Sequence, residues 1–282
     1  MHITVSQLLA VAGLSSSQDL SPAPTSTDGV AALDGREKHD EVATQRILIV
    51  GLGGLGVPAL WALARAGAPR LTLIDPDPVE LSNLARQVIY RSRDTGTPKV
   101  DAAARWLVER FPEVSVERHP IALEASNAAR LVAAHDFVID ATDSPAAKFL
   151  INDTCIAART PFVYGGVVGM TGQAMTVIPG QTACIRCVFE TPPDDDEGRS
   201  CREAGIVGPV AGAIGQMQAA EAMRAARAQT PLLSGKILTY DASGPARVRI
   251  AAVSPRPGCG CGAWKPDGRD ARRRRQSQAP GN

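Results

Sequence analysis

The amino-acid sequence predicts an α/β fold: a Rossmann-like, mostly parallel sheet flanked by helices, with added antiparallel strands and a zinc-binding cysteine cluster. Three observations predict it. An apolar run, Ile47-Leu-Ile-Val50, breaks into glycines spaced GxGxxG and continues into a helix-forming stretch, the pattern of a strand, a phosphate-binding turn and a helix. Strand-like runs alternate with helical patterns along the chain, as crossovers between parallel strands require. Four of the six cysteines form two close pairs, Cys184/Cys187 and Cys259/Cys261, clustered rather than spread as a disulfide framework would be.

With 282 residues and 44% hydrophobic content, the chain is long enough for one large α/β domain or two modest ones. The formal net charge of +1 says little about partners. No apolar stretch approaches the roughly 20 residues of a membrane span. The Leu8–Ala12 patch lacks a preceding basic region, so neither a membrane segment nor a secretory signal is expected. Clustered thiols favour a cytoplasmic setting. Residues 1–40 are read as a mobile leader, because Gly13–Gly29 is small, polar and proline-bearing and cannot bury enough surface to order itself. Residues 41–262 form the folded domain. Residues 263–282 form an Arg-rich disordered tail, with Arg272 to Arg275 in a row, and a run this short reads as solvated rather than as a nucleic-acid contact.

In chain order, Ile47–Val50 is the first strand. Gly51 turns the chain sharply out of it, Gly53 lets the backbone approach a phosphate, and Gly56 lets the next helix pack on the sheet. The free N–H groups at that helix start face an anion. Leu71–Asp75 is the second strand, and Asp75 ends it at the spacing of a ribose-binding carboxylate. A helix is expected from Thr97, with Thr97 as N-cap and Pro98 at the first helical position. Val100, Ala104, Leu107, Val108 and Phe111 recur at helical spacing and mark its buried face. Val114–Arg118, Phe137–Asp140 and Phe162–Tyr164 add strands, and the helical run Lys148–Ala158 makes Cys155 a core residue. Gln173–Ile178 reads as an antiparallel addition, and Pro192–Gly198 as a solvated loop. A small-residue helix over Glu203–Ala228, interrupted by glycine and Pro209, precedes late strands at Lys236–Tyr240 and Ala246–Val253.

The glycine turn alone leaves open whether the nucleotide is a redox dinucleotide or ATP. Arg86, Lys99 and Asp143 separate the two. Displacement at a phosphate needs fixed cations against the charge on the phosphate oxygens and a carboxylate for Mg2+, whereas hydride transfer does not need these three together. Lys99 also falls in the first turn of a helix, where the N-terminus carries partial positive charge. Singly, Arg86 reads as a surface ion-pair partner, Lys99 as an exposed helix residue and Asp143 as the N-cap of the helix at Pro145. As a set in this order they read as a phosphate-transfer site. Cys184-Ile-Arg-Cys187 suits one half of a tetrahedral zinc site that Cys259 and Cys261 could close, with unmetallated thiols as the alternative. Only Gly260 separates the second pair, and Gly258, Gly260 and Gly262 supply backbone freedom. Cys201, with Arg199 and Arg202 beside it at a helix start, has the surroundings of a thiolate. His2, His39, His119 and His135 lie in no motif and read as structural or exposed.

From residue 46 to 262 the chain resembles the activating enzymes of ubiquitin-like and sulfur-carrier proteins, of the ThiF/MoeB/HesA type. The motifs are Gly51-Leu-Gly-Gly-Leu-Gly56, Asp75-x-Asp77, Leu81-Ser-Asn-Leu-x-Arg86-Gln87, Pro98-Lys99, Ala141-Thr-Asp143-Ser144, Cys184-Ile-Arg-Cys187, Cys201-Arg-Glu-Ala-Gly205 and Cys259-Gly-Cys261. The resemblance implies an ATP- and Mg2+-dependent adenylyltransferase that activates the C-terminal Gly-Gly carboxylate of a β-grasp sulfur carrier, of molybdopterin synthase or thiamine type, and releases pyrophosphate. It implies a homodimer, a separate sulfurtransferase and a structural Zn2+. Arg86, Lys99, Asp143 and Cys201 would be catalytic. Gly51, Gly53, Gly54, Gly56, Asp75, Asp77, Asn83, Gln87 and Ser144 would join Arg86, Lys99 and Asp143 in holding the cofactor. Within that set the family assigns Asp75 to the ribose, Asn83, Arg86 and Lys99 to the phosphates, and Asp143 to magnesium. The cysteine matching Cys201 takes up the activated partner covalently in some members and is not required for adenylation in others. Two departures stand out. The Arg-Tyr-x-Arg-Gln segment that usually precedes the glycine turn is missing, with only Arg36 and Arg46 upstream, and Ser144 stands where asparagine is common. The missing cation keeps a second reading in play, a nucleotide-binding scaffold subunit with weak or no adenylation.

Overall fold

The computed structural model describes residues 45–192, 205–245 and 247–262. Strands and helices alternate as β1 (Arg46–Val50), α1 (Gly56–Arg65), β2 (Arg70–Ile74), α2 (Lys99–Arg110), β3 (Ser115–His119), α3 (Ala125–Ala133), β4 (Phe137–Asp140) and α4 (Pro145–Ala158). Then follow β5 (Phe162–Val168), β6 (Thr171–Val177), the short α5 (Ile185–Val188), the long α6 (Gly208–Ala226), β7 (Lys236–Asp241) and β8 (Arg247–Ala252). The strands form one sheet in the order β3-β2-β1-β4-β5-β6-β7-β8. Pairing is parallel from β3 to β5 and antiparallel from β5 to β8. This is the expected mostly parallel sheet with an antiparallel extension. Strand order reverses between β1 and β4, so a crevice opens beyond their C-terminal ends, where ligands of open α/β sheets bind.

Both faces of the parallel strands are covered, which explains why these strands read as continuous apolar runs. Ile47 and Ile49 point to a cluster with residues of α1, α2 and α6, while Leu48 and Val50 point to one with residues of α3 and α4. Edge strand β3 is different: its Ser-Val-Glu-Arg-His sequence is largely exposed, and charged side chains there discourage pairing with another chain. The contact between α1 and α6 depends on Gly215, because a Cβ there would come within 2.2 Å of the Leu55 carbonyl oxygen.

Three local expectations are corrected. Helix α2 starts at Lys99 with Pro98 in the N-cap position and no side-chain cap, so Thr97 does not cap it. Val108 is 60% exposed, whereas Ala103 is fully buried; the stripe through Val100, Ala103, Ala104 and Leu107 faces the sheet, and Val108 falls on its flank. Pro209 does not interrupt α6. It sits in the first turn of a helix that begins at Gly208, where its missing N–H costs nothing. The leader, the tail and Cys201 lie outside the described residues.

His135 illustrates how the fold settles a histidine. Its Nδ1 donates to the Leu131 carbonyl (2.6 Å), since a carbonyl only accepts, and its Nε2 lies 2.6 Å from the Thr72 hydroxyl, which can donate to a neutral ring or accept from a protonated one. Burial lowers its pKa below the ordinary 6.5. The unfolded chain therefore takes up this proton first as pH falls, and the stability from neutral His135 is complete above 6.5 and lost as pH falls through the lowered folded value. The thermal midpoint should decline below neutral pH, and His135→Gln should flatten part of that decline in melts at a series of pH values. An unchanged slope in the variant would refute the assignment.

Candidate active site

The crevice at the switch point is built on the glycine turn. Gly51 has φ 94°, and a Cβ there would lie 2.6 Å from the Ala141 carbonyl oxygen; one at Gly56 would lie 1.8 Å from the Gly51 carbonyl oxygen. Both obstructions are backbone, so nothing can swing aside. Gly56→Ala should cost more than the usual overpacking penalty of about 1–3 kcal/mol and open the turn. A wild-type melting curve with intact ATP binding in that variant would contradict this geometry.

Asp75 fastens the turn to the end of β2. One carboxylate oxygen accepts from the Leu52 N–H (2.6 Å) and the other from the Asp77 N–H (2.9 Å), and the residue is 5% exposed. Burial raises its pKa, with Lys99 acting in the opposite direction. The carboxylate more open to a ligand is that of Asp77, whose side chain is 62% exposed. Lys99 is not the exposed helix residue that its position alone suggested. Its ammonium group is buried, 2.8 Å from Asp77 Oδ2 and 3.7 Å from Asp75 Oδ1, and its N–H donates to the Asp77 carbonyl. A lysine at a helix start opposes the helix dipole, and these two carboxylates offset that.

Arg86 lies beside the turn. Its Cδ is 3.8 Å from a Cβ built on Gly54, its Cβ is 3.2 Å from one built on Gly208 at the head of α6, and its Nη1 donates to the Ser82 carbonyl (3.1 Å). It makes no surface ion pair among the described residues. Asn83 is buried and donates to the Ser82 hydroxyl. Gln87, 3% exposed, places Nε2 3.8 Å from a Cβ built on Gly53, and its Oε1 has no hydrogen-bond partner. A buried acceptor left open beside a phosphate-type turn, where Gly53 and Gly54 keep the backbone bare, fits a site shaped for a ligand. Tyr90, which no sequence motif singled out, donates its hydroxyl to the Leu52 carbonyl and braces the turn from behind.

The opposite wall is the loop after β4. Ser144, not Asp143, caps α4, accepting from the Ala147 N–H (3.4 Å). Asp143 is exposed and has no side-chain partner among the described residues, so its carboxylate is available to a cation. Lys148 and Asp140, both missed by motif reading, form a buried pair beneath this loop; the only sequence signal was the position of Lys148 one turn beyond Ser144. Arg46 pairs with Asp136 at the far end of the sheet and supplies no charge to the crevice.

The four paired cysteines converge. The sulfurs of Cys184, Cys187, Cys259 and Cys261 lie within 4.8 Å of one another, with separations of 3.9 Å (Cys184–Cys187), 3.7 Å (Cys184–Cys259) and 3.7 Å (Cys187–Cys261). A tetrahedron of sulfurs about 2.3 Å from a zinc ion has edges of about 3.8 Å, so the donor set fits, and the single-residue Cys259-Gly-Cys261 spacing is accommodated. Burial pushes the Cys184 thiol pKa up; at Cys187 burial also acts upward but is outweighed by N–H donation from Arg256 and Cys184 and by hydrogen bonds with the Cys259 and Cys261 thiols, so its pKa is lowered. The cluster is tied to α4: Asn152 accepts from the Ile185 N–H, and Asp153 forms a double hydrogen bond with Arg186 at 2.7 and 2.8 Å. Cys155 is fully buried, as expected of a core residue.

The ThiF family matches residues 28–261. The chain is 38% identical over 208 residues to the SAMP-activating enzyme E1 of Haloferax volcanii, covering 74% of this chain and 77% of that protein. It is 36% identical over 220 residues to the adenylyltransferase and sulfurtransferase MOCS3 of Arabidopsis thaliana, covering 78% of this chain but only 47%, about half, of that protein. Among solved structures, E. coli MccB crystallised with ATP superposes with a TM-score of 0.71 at 23% identity, over 80% of this chain and 69% of that one, a likeness of fold.

Proposed function

The chain belongs to the ThiF family, and from that premise we propose that it is an ATP-dependent adenylyltransferase acting on the C-terminal Gly-Gly carboxylate of a small β-grasp sulfur carrier. The reading is supported by three placements around the glycine turn: Lys99 buried against Asp75 and Asp77 at the end of β2, Arg86 beside Gly54, and exposed Asp143 two residues after Ala141, whose carbonyl packs on Gly51. Relatives named as a SAMP-activating enzyme and as an adenylyltransferase support it.

In the proposed reaction a carboxylate oxygen of the carrier forms a bond to the α-phosphorus of ATP. The bond from that phosphorus to the bridging oxygen breaks, and pyrophosphate leaves. Charge repulsion is the main obstacle, and Arg86 and Lys99 reduce it while the glycine turn holds the phosphates still. Asn83 and Gln87 supply neutral polar contacts, and Asp75 with Asp77 face the ribose. Magnesium, held by Asp143, supplies further charge neutralisation when bound. No general base is needed, because the attacking carboxylate is already ionised at neutral pH. That agrees with His119 and His135 being engaged elsewhere, with Glu117 and Thr72. Zinc in the four-cysteine cluster would be structural, a homodimer would complete the enzyme, the sulfur would come from a separate sulfurtransferase, and the setting would be cytoplasmic. No described helix is long and apolar enough to cross a membrane.

The deciding experiment is ATP–pyrophosphate exchange by the purified protein with each Gly-Gly-ending β-grasp protein encoded in the same genome. Exchange with one of them is expected. Failure with all of them would sink the reading in favour of the scaffold subunit.

A further inference from the structure

Beneath the Asp143 loop lies a buried ion pair that the proposed reaction does not use directly. Asp140 ends β4 with no exposure. Lys148, one turn beyond the Ser144 cap of α4, places Nζ 3.2 and 3.3 Å from the two Asp140 oxygens and also donates to the Gly165 carbonyl in the middle of β5. Its ammonium group lies 5.0 Å from the Tyr164 ring centroid. Asp140 Oδ1 in turn accepts from the Thr142 N–H (3.1 Å) and the Thr142 hydroxyl (2.7 Å). From the other side of the sheet, Gln218 donates to the Asp140 carbonyl (2.6 Å). One cation thus joins the end of β4, the loop after it, the head of α4 and β5.

A buried ion pair is a poor source of stability, since well-packed apolar groups of the same volume do as well or better. What this pair does supply is one geometry for residues 140–144. Asp143 is the single member of that loop left exposed and unpartnered, between Thr142 and Ser144, which are both fastened. We propose that Lys148 is a positioning residue for Asp143: through Asp140 and the Gly165 carbonyl it holds the loop so that the Asp143 carboxylate meets magnesium-bound ATP. The proposal rests on the reading of Asp143 as the magnesium-holding residue given above. Lys148 does not touch the nucleotide, and it acts by orientation, for which a loss of about 10–100-fold in metal affinity is the usual scale.

The test is calorimetric titration of ATP into the full-length protein across a range of Mg2+ concentrations, a measurement of binding that needs no carrier. Lys148→Met is expected to raise the Mg2+ concentration for half-maximal enhancement of ATP binding about tenfold or more, with ATP affinity in chelator little changed. Lys148→Arg should restore most of the response. Thr142→Val, which leaves the ion pair intact, should shift it in the same direction by a smaller factor. A role confined to folding would lower the active fraction without moving the half-maximal concentration. If Lys148→Met does not fold, Lys148→Gln, which removes the charge but keeps a polar donor, decides: a shift supports the proposal and no shift overturns it. Asp143→Asn separates the two levels of inference. If it abolishes the magnesium response while Lys148→Met and Thr142→Val leave it unmoved, positioning by Lys148 is overturned and the reading of Asp143 stands. If Asp143→Asn keeps the response, the reading of Asp143 falls and the proposal falls with it.

Discussion

Replacing Lys99 with methionine is expected to reduce ATP–pyrophosphate exchange by about a hundredfold or more, the usual scale for loss of one preorganised charge at a reacting phosphate. In the proposed site Lys99 is one of two cations assigned to the phosphates, and it is the buried one, where electrostatic effects are least screened by water. Its removal acts on the fold as well. Asp75 would keep its two N–H donors but lose its nearby cation, and a carboxylate whose pKa burial has already raised would be raised further. Breaking a buried pair by removing one partner typically costs about 3–5 kcal/mol. Chemistry and folding can be told apart by pairing the exchange assay with thermal melts and with Lys99→Arg, which keeps the charge. Exchange within about threefold of wild type in a folded Lys99→Met protein would remove the central support for phosphoryl chemistry. It would leave a nucleotide-binding scaffold as the better description.

Loss of the four-sulfur centre should have the second-largest effect, on stability rather than on the chemical step. Cys184 and Cys261 are 1% and 4% exposed and belong to the core cluster on the α4 side of the sheet, so the centre is continuous with packed apolar side chains. Cys261→Ser should abolish stoichiometric zinc, as read by plasma emission spectroscopy. It should also lower the thermal midpoint by on the order of 10 °C, as a loss of several kcal/mol does in a domain of this size. Exhaustive chelation of the wild-type protein should reproduce the shift, and restored zinc should reverse it. A protein purified with zinc available that carries none, and melts as Cys261→Ser does, would refute the metal assignment. The ties from Asn152 and Asp153 to the cysteine segment suggest where damage would spread: along α4 towards its N-terminal cap at Ser144.

Much of this architecture was legible in the sequence because the information is local. A strand that breaks into GxGxxG can hardly be anything but a turn into a helix, and β1, β2 and β4 emerged within one residue of their expected bounds. The antiparallel additions β6, β7 and β8 were legible too, through strand-like composition set off by turns. Errors came where periodicity was asked for more than it holds. Val108 shares the spacing of the buried α2 stripe but lies on its flank, and Pro209 looks like a breaker until its place in the first turn of α6 is known. Tyr90 and Gln218 carry no motif of their own, since each acts through a carbonyl contributed by a distant segment, and Asp140 and Lys148, eight residues apart, meet only because the loop after β4 folds back over the strand end.

The class of fold, the glycine turn with its following carboxylates, and the identity of the groups available for chemistry all follow from the order of residues alone. Each of these depends on residues within a few positions of one another, where backbone geometry and side-chain periodicity act directly. It took the packed chain to bury Lys99 against Asp77 and Asp75, to leave Asp143 exposed while Ser144 caps the helix, and to bring two cysteine pairs more than 70 residues apart to a tetrahedral spacing. Those outcomes depend on which strands become neighbours and on what is desolvated when they do. Spacing along a chain does not encode either.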